Sequence, residues 1–188
     1  SHASQPENGH NPARAISKLI IDIPELTARE DHRGIVMATV VCVRIGEEAF
    51  GTNAGFGQLM LTIRAEFESE LDALDAEICA RARAYARQDG ITNAEVQYRD
   101  SFPETRNTPD AVAAVRKARL ECGLPEARWD EPFRSSEDFG CYTKLTSGAL
   151  FYIGCGTRHA KLHTREYDFN DEIIEPAVDM MFRLAQDA

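Results

Sequence analysis

The sequence predicts a mixed α/β chain built as two successive parts. Three observations carry that expectation. Apolar residues recur at helical spacing along 13–26 and 71–85, β-branched residues crowd 35–43, and 148–154 is an unbroken apolar run of strand length. At 188 residues the chain is long enough for one domain or two small ones with a real core.

The elements follow in order. Asn11-Pro12 is a good helix start, with Asn as cap and Pro at the first helical position. Ala13, Ile16, Leu19, Ile20, Ile23 and Leu26 then form a stripe, and Pro24 is expected to kink or end the helix. Residues 34–45 read as a strand. Residues 46–57 hold four of the chain's 12 glycines and read as a loop. In 58–67, Leu59, Leu61, Ile63 and Ala65 alternate onto one face. Ser69 is expected to cap a helix running to about Gln88, ended by Gly90, and 91–102 reads as a strand. The order α-β-β-α-β lacks one strand, ahead of His2, to be the ferredoxin-like β-α-β-β-α-β unit. The chain therefore reads as truncated. Residues 103–107 cross into a second part. There Thr108-Pro109 starts a helix ended by Gly123, 148–154 reads as a strand buried on both faces, and a last helix carries Val178, Met181, Phe182 and Ala185. One strand and two helices are too few to close a core alone.

Composition narrows the function classes. The net charge of -10, with 21 Lys and Arg scattered, argues against a nucleic-acid partner. No apolar run approaches the ~18 residues of a membrane span, and the polar opening does not read as a signal peptide. Five cysteines (Cys42, Cys79, Cys122, Cys141 and Cys155) form no C-x-x-C pair and read as buried thiols of a reducing cytoplasm.

His163 is the strongest candidate for chemistry. It follows the predicted buried strand, in a loop, with Glu166, Asp168 and Asp171 close by. From spacing alone a surface-loop histidine is the commoner reading. His159, four residues earlier, has no Glu or Cys to complete a metal set. Glu137 and Asp138 are adjacent, so on a strand they would face opposite ways and share no proton. Gly148 either admits a ligand to the backbone or makes a turn.

Leu162-His163-Thr164-Arg165-Glu166-Tyr167-Asp168-Phe169-Asn170-Asp171, Ser136-Glu137-Asp138-Phe139, and the opening His2-Ala3-Ser4-Gln5-Pro6 with Gly9 and Asn11-Pro12 together resemble a known family. It is the zinc-dependent aminoacylase/carboxypeptidase-like amidohydrolases, the hippurate hydrolase and aminobenzoyl-glutamate hydrolase group. The resemblance implies a ferredoxin-like lid/dimerisation domain over 1–103, followed over 104–188 by the C-terminal part of a catalytic domain. It implies hydrolysis of the amide bond of N-acyl amino acids or small peptides, with two divalent metal ions (zinc, or manganese or cobalt), a bridging hydroxide and a Glu base. His163 is then the last metal ligand. His2 stabilises the oxyanion in the partner subunit's site of a homodimer. Arg64, in Thr62-Ile63-Arg64, captures a substrate carboxylate. Asn53 contacts substrate, although Asn53-Ala54-Gly55-Phe56 replaces the family's Asn-Val-Ile-Pro loop. Glu137, Asp138 and Gly148 line the cleft, although Ser147-Gly148-Ala149 replaces the usual Pro-Gly-Ala turn. With His163 as its only ligand, this chain is expected to bind metal poorly and to be inactive alone. The competing reading is a non-enzymatic dimerisation or small-ligand module.

Overall fold

The structure, a computed structural model, describes residues 1–127 and 129–186. It divides into two compact units, Ser1–Ser101 and Phe102–Ala188.

In the first unit, α1 (Ala13–Thr27) leads to an antiparallel pair, β1 (Val36–Ile45) and β2 (Gly57–Ala65), and then to α2 (Glu68–Gln88). Helix α1 starts one residue later than the sequence suggests. Pro12 takes the cap position, and the Asn11 side chain accepts the Ala13 N–H at 2.9 Å. Pro24 neither ends the helix nor stands outside it. It lies in the last turn, where its missing N–H removes one bond near an end that frays anyway. Helix α2 is capped by Phe67 rather than Ser69, with Glu68 and Glu70 in the first turn, where carboxylates favour the positive end of the helix dipole.

Both long helices pack on one face of the β1–β2 pair. Leu19, Leu26, Val36, Leu74 and Ile78 are buried, with Leu59, Leu61, Ile63 and Ala65 against them, as the alternation of 58–67 requires. A bulge lets the register pass from Val40↔Leu61 to Cys42↔Met60, leaving Val41 unpaired. Across the helix–helix seam, Arg81 bridges Asp22 at 2.9 Å and the Tyr85 hydroxyl donates to Asp22, while within α2 Arg81 also pairs with Glu77 at 2.7 Å. Of the five cysteines, only Cys79 is buried; Cys141 is exposed and the rest are half-buried.

Among the described residues the sheet has two strands, so the strand expected at 91–102 does not form. In a β-α-β-β-α-β unit the last strand pairs with the first. No described strand precedes α1, so 91–102 has no ladder to join. A side-chain latch engages it instead: the Tyr98 hydroxyl donates to Asp75 at 2.8 Å.

The second unit holds α3 (Pro109–Glu121), the short α4 (Gly140–Thr143) and α5 (Ile174–Gln186). Helix α3 packs on α5, and Ala118 and Met180 are buried. Ile174, Val178, Met181 and Phe182 of α5 are exposed, so the apolar stripe read from the sequence is not the buried face. The expected buried strand at 148–154 is likewise absent: the segment alternates half-buried residues with the exposed Tyr152 and Gly154 and pairs with no described strand. The Asn107 side chain stands in for a ladder partner, donating to Leu150 O and accepting from Leu150 N–H, both at 2.8 Å. Helices α2 and α3 end alike. Gly90 and Gly123 take left-handed φ of 71° and 66°, and the next N–H (Ile91, Leu124) returns to the carbonyl five residues back (Ala86, Arg119) at 2.8 and 3.1 Å. No helix among the described residues is long and apolar enough to cross a membrane.

Candidate functional site

In the first unit the opening segment is bound to the glycine-rich loop between β1 and β2. His2 forms an antiparallel bridge with Thr52, the Ala3 N–H donates to Gly51 O at 3.0 Å, and the Asn53 N–H donates to Ser1 O at 2.9 Å. His2 and Asn53 are thus brought onto one paired piece of backbone. The Nδ1 of His2 accepts from the Ser4 N–H at 3.1 Å and lies 2.7 Å from the Ser4 hydroxyl. A backbone N–H only donates, so Nδ1 presents its lone pair and the neutral ring carries its proton on Nε2. The side chain is exposed, and it offers an N–H donor.

The Asn53 amide is engaged at both ends. Its Oδ1 accepts from Asn11 Nδ2 at 2.7 Å and its Nδ2 donates to Ser1 Oγ at 3.2 Å. Arg64 lies on β2 opposite Met37. By alternation it occupies the sheet face away from the helices, half-buried.

The remaining candidates belong to the second unit. Glu137 and Asp138 are exposed on irregular chain rather than a strand, and Asp138 O accepts the Cys141 N–H at 2.9 Å where α4 begins. Gly148 is held by Thr108, whose N–H donates to Gly148 O at 2.9 Å and whose hydroxyl accepts the Gly148 N–H at 3.2 Å. An added Cβ there would meet nothing closer than 3.4 Å, so a side chain would fit.

His163 is exposed in a turn with φ of 67°. Its loop is tied back by Asn170, whose Nδ2 donates to Cys155 O at 3.2 Å and whose Oδ1 accepts from the Glu172 N–H at 3.1 Å. His159 turns to the Ala160 carbonyl at 2.9 Å. Among the described residues, no three His, Cys, Asp or Glu side chains gather to hold a metal ion. His163 alone does not fit a two-metal centre, which needs several ligands per ion.

Two features of this unit escape sequence reading. The Ser147 hydroxyl donates to Asp110 at 2.6 Å and lies 2.6 Å from the Thr108 hydroxyl. Hydrogen bonds from the Ser147 hydroxyl, then the Thr108 hydroxyl and the Ala111 N–H, hold the Asp110 carboxyl down at about 2. The adjacency of Thr108 and Asp110 to a helix start is visible in the sequence, but Ser147 is far along the chain. Trp129, Phe133 and Tyr152 also stack in series, with centroids 5.3 and 4.1 Å apart, and all three are exposed.

No protein-family profile matches the chain. It is similar to an uncharacterized hydrolase of Staphylococcus haemolyticus (25% identity over 93% of this chain and 46% of the relative). It is also similar to an N-acetyldiaminopimelate deacetylase of Bacillus licheniformis (26%, over 96% and 48%) and a hippurate hydrolase of Campylobacter jejuni (22%, over 98% and 48%). The chain spans about half the length of these curated relatives. A crystal structure from methicillin-resistant Staphylococcus aureus, assigned as an aminohydrolase, shares the fold: TM-score 0.76 at 18% identity, over 100% of this chain and 49% of that one. The comparisons bear out the resemblance to the amidohydrolases that the motifs suggest.

Proposed function

We propose that this chain is part of a metal-dependent amidohydrolase that cleaves the amide bond of N-acyl amino acids or small peptides. The observation that carries the reading is the loop 162–171. It matches the amidohydrolase motif and presents His163 exposed, in a left-handed conformation that non-glycine residues rarely adopt. The similarity to a hippurate hydrolase and an N-acetyldiaminopimelate deacetylase supports the substrate class.

In this reading His163 is one metal ligand, and the other ligands come from a part of the enzyme that these 188 residues do not supply. The chain alone is inactive. His2 supplies an Nε2–H donor to the oxyanion of the tetrahedral intermediate. Arg64 takes the substrate carboxylate, which favours a free C-terminus. Glu137, Asp138 and Gly148 line the cleft. Strands β1 and β2 are two strands of a ferredoxin-like lid, and their outer edges suit a homodimer contact.

The test is release of free amino acid from benzoylglycine and N-acetyl amino acids by the protein from its native source. The assay is run after chelation and after return of zinc, manganese or cobalt. Release that returns with metal supports the reading. No release from a protein of the relatives' full length, under any metal condition, favours the dimerisation or ligand-binding module.

A further inference from the structure

We propose that Asn53 is a positioning residue: with Ser4, it holds the His2 imidazole in place as a fixed Nε2–H donor. The functional meaning of this clamp rests on the reading of His2 above, but its geometry does not.

Three points of the opening segment converge on Asn53. Ser1 receives both its backbone N–H (2.9 Å) and its side-chain Nδ2–H (3.2 Å). Asn11 donates to its Oδ1 at 2.7 Å. Gly9 passes so close that a Cβ would fall 3.1 Å from Asn53 Nδ2 and 2.7 Å from Ser1 Oγ. Residues 1–11 therefore close into a loop around one amide, and His2 is carried on that loop, bridged to Thr52. An amide is suited to this place because it offers an acceptor and donors from one planar group. A carboxylate would keep the bond from Asn11 but would need the Ser1 hydroxyl to turn and donate, and an apolar isostere would lose both. With Oδ1 engaged by Asn11 and Nδ2 by Ser1, the Asn53 amide is fixed in orientation. Ser4 completes the device. Its N–H enters Nδ1, which fixes the ring orientation and leaves Nε2–H outward.

The test is amide NMR on the 188-residue chain, which needs neither metal nor substrate. In the wild type, the Ala3 and Ser4 amides should exchange slowly, and His2→Ala should free the Ser4 amide, whose acceptor it removes. In N53A, both amides should exchange about tenfold faster or more, the value of roughly one net hydrogen bond. G9A should show the same release, and S4A, which keeps the N–H, should not. The buried core of this unit contains none of these residues, so circular dichroism should show it unchanged. G9A tests the clamp independently if N53A misfolds. Slow exchange of both amides that persists in both N53A and G9A would overturn the proposal. If the clamp is present but His2→Ala in the native enzyme leaves hydrolysis unchanged, the oxyanion reading fails and the clamp stands.

Discussion

His32 offers a prediction whose size and sign both follow from geometry. Its Nε2 lies 2.7 Å from the Leu26 carbonyl, in the last turn of α1, and its Nδ1 lies 2.9 Å from a Glu70 carboxylate oxygen in the first turn of α2. Both partners are acceptors, so both ring nitrogens donate and the bound form is the imidazolium. The Leu26 carbonyl and then Glu70 raise the His32 pKa above its ordinary value; burial and the Arg29 guanidinium oppose them. Asp31 and Arg33 are the other charges nearby, and Asp31 also favours the charged ring. Charge-assisted bonds of this kind contribute roughly 1.5–3 kcal/mol, and a cation at a helix C-terminus adds to that. Glu70 keeps partial contact with water after truncation, so the lower end applies. His32→Ala should cost about 2 kcal/mol, or about 10 °C in Tm for a unit of this size.

Because the folded pKa is raised, the charged contribution is full below the unfolded value of about 6.5 and is lost as pH rises through the folded value. Urea denaturation by far-UV circular dichroism should therefore show wild type well above His32→Gln at pH 6, with the gap closing by pH 9. A gap that is constant or widening across that range would refute the imidazolium bridge.

Other perturbations test the second unit. Asn107→Ala should destabilise it by about 1–2 kcal/mol in the same denaturation assay, because both Leu150 backbone groups lose their partner. Carbon-detected NMR should find the Asp110 carboxyl titrating near 2 and moving up toward the ordinary range in Ser147→Ala. Stability that Asp110 confers is present above the unfolded carboxyl range and is lost only as pH falls through about 2. Phe133→Ala should shift Trp129 emission, which reports on that stack alone because the chain has one tryptophan.

What the sequence made legible was local. Helical stripes, the alternating face of 58–67 and the glycine stops at Gly90 and Gly123 are set by residues a few positions apart, and the structure keeps them. The strands expected at 91–102 and 148–154 do not form, because a strand is defined by its partner. Apolar composition reports only the willingness to pair. Asn107 shows the consequence, its side chain supplying the bonds a neighbouring strand would supply. The site divides in the same way. His163 is proposed from a contiguous motif, residues 162–171. The engagement of Asn53 with Ser1 and Asn11 joins positions some 40–50 apart in the chain, so no local pattern announces it. The inward residue of α5, Met180, stands apart from the apolar stripe of Val178, Met181 and Phe182, so the sequence pattern does not point to it.

The most direct test of the account is His163→Ala in the native enzyme, assayed on N-acyl amino acids with metal restored. His163 is exposed, so the variant should fold as the wild type does, while hydrolysis and metal content both fall, hydrolysis by at least about 100-fold. Undiminished hydrolysis and full metal content in that variant would contradict the assignment of this chain to the metal centre of an amidohydrolase.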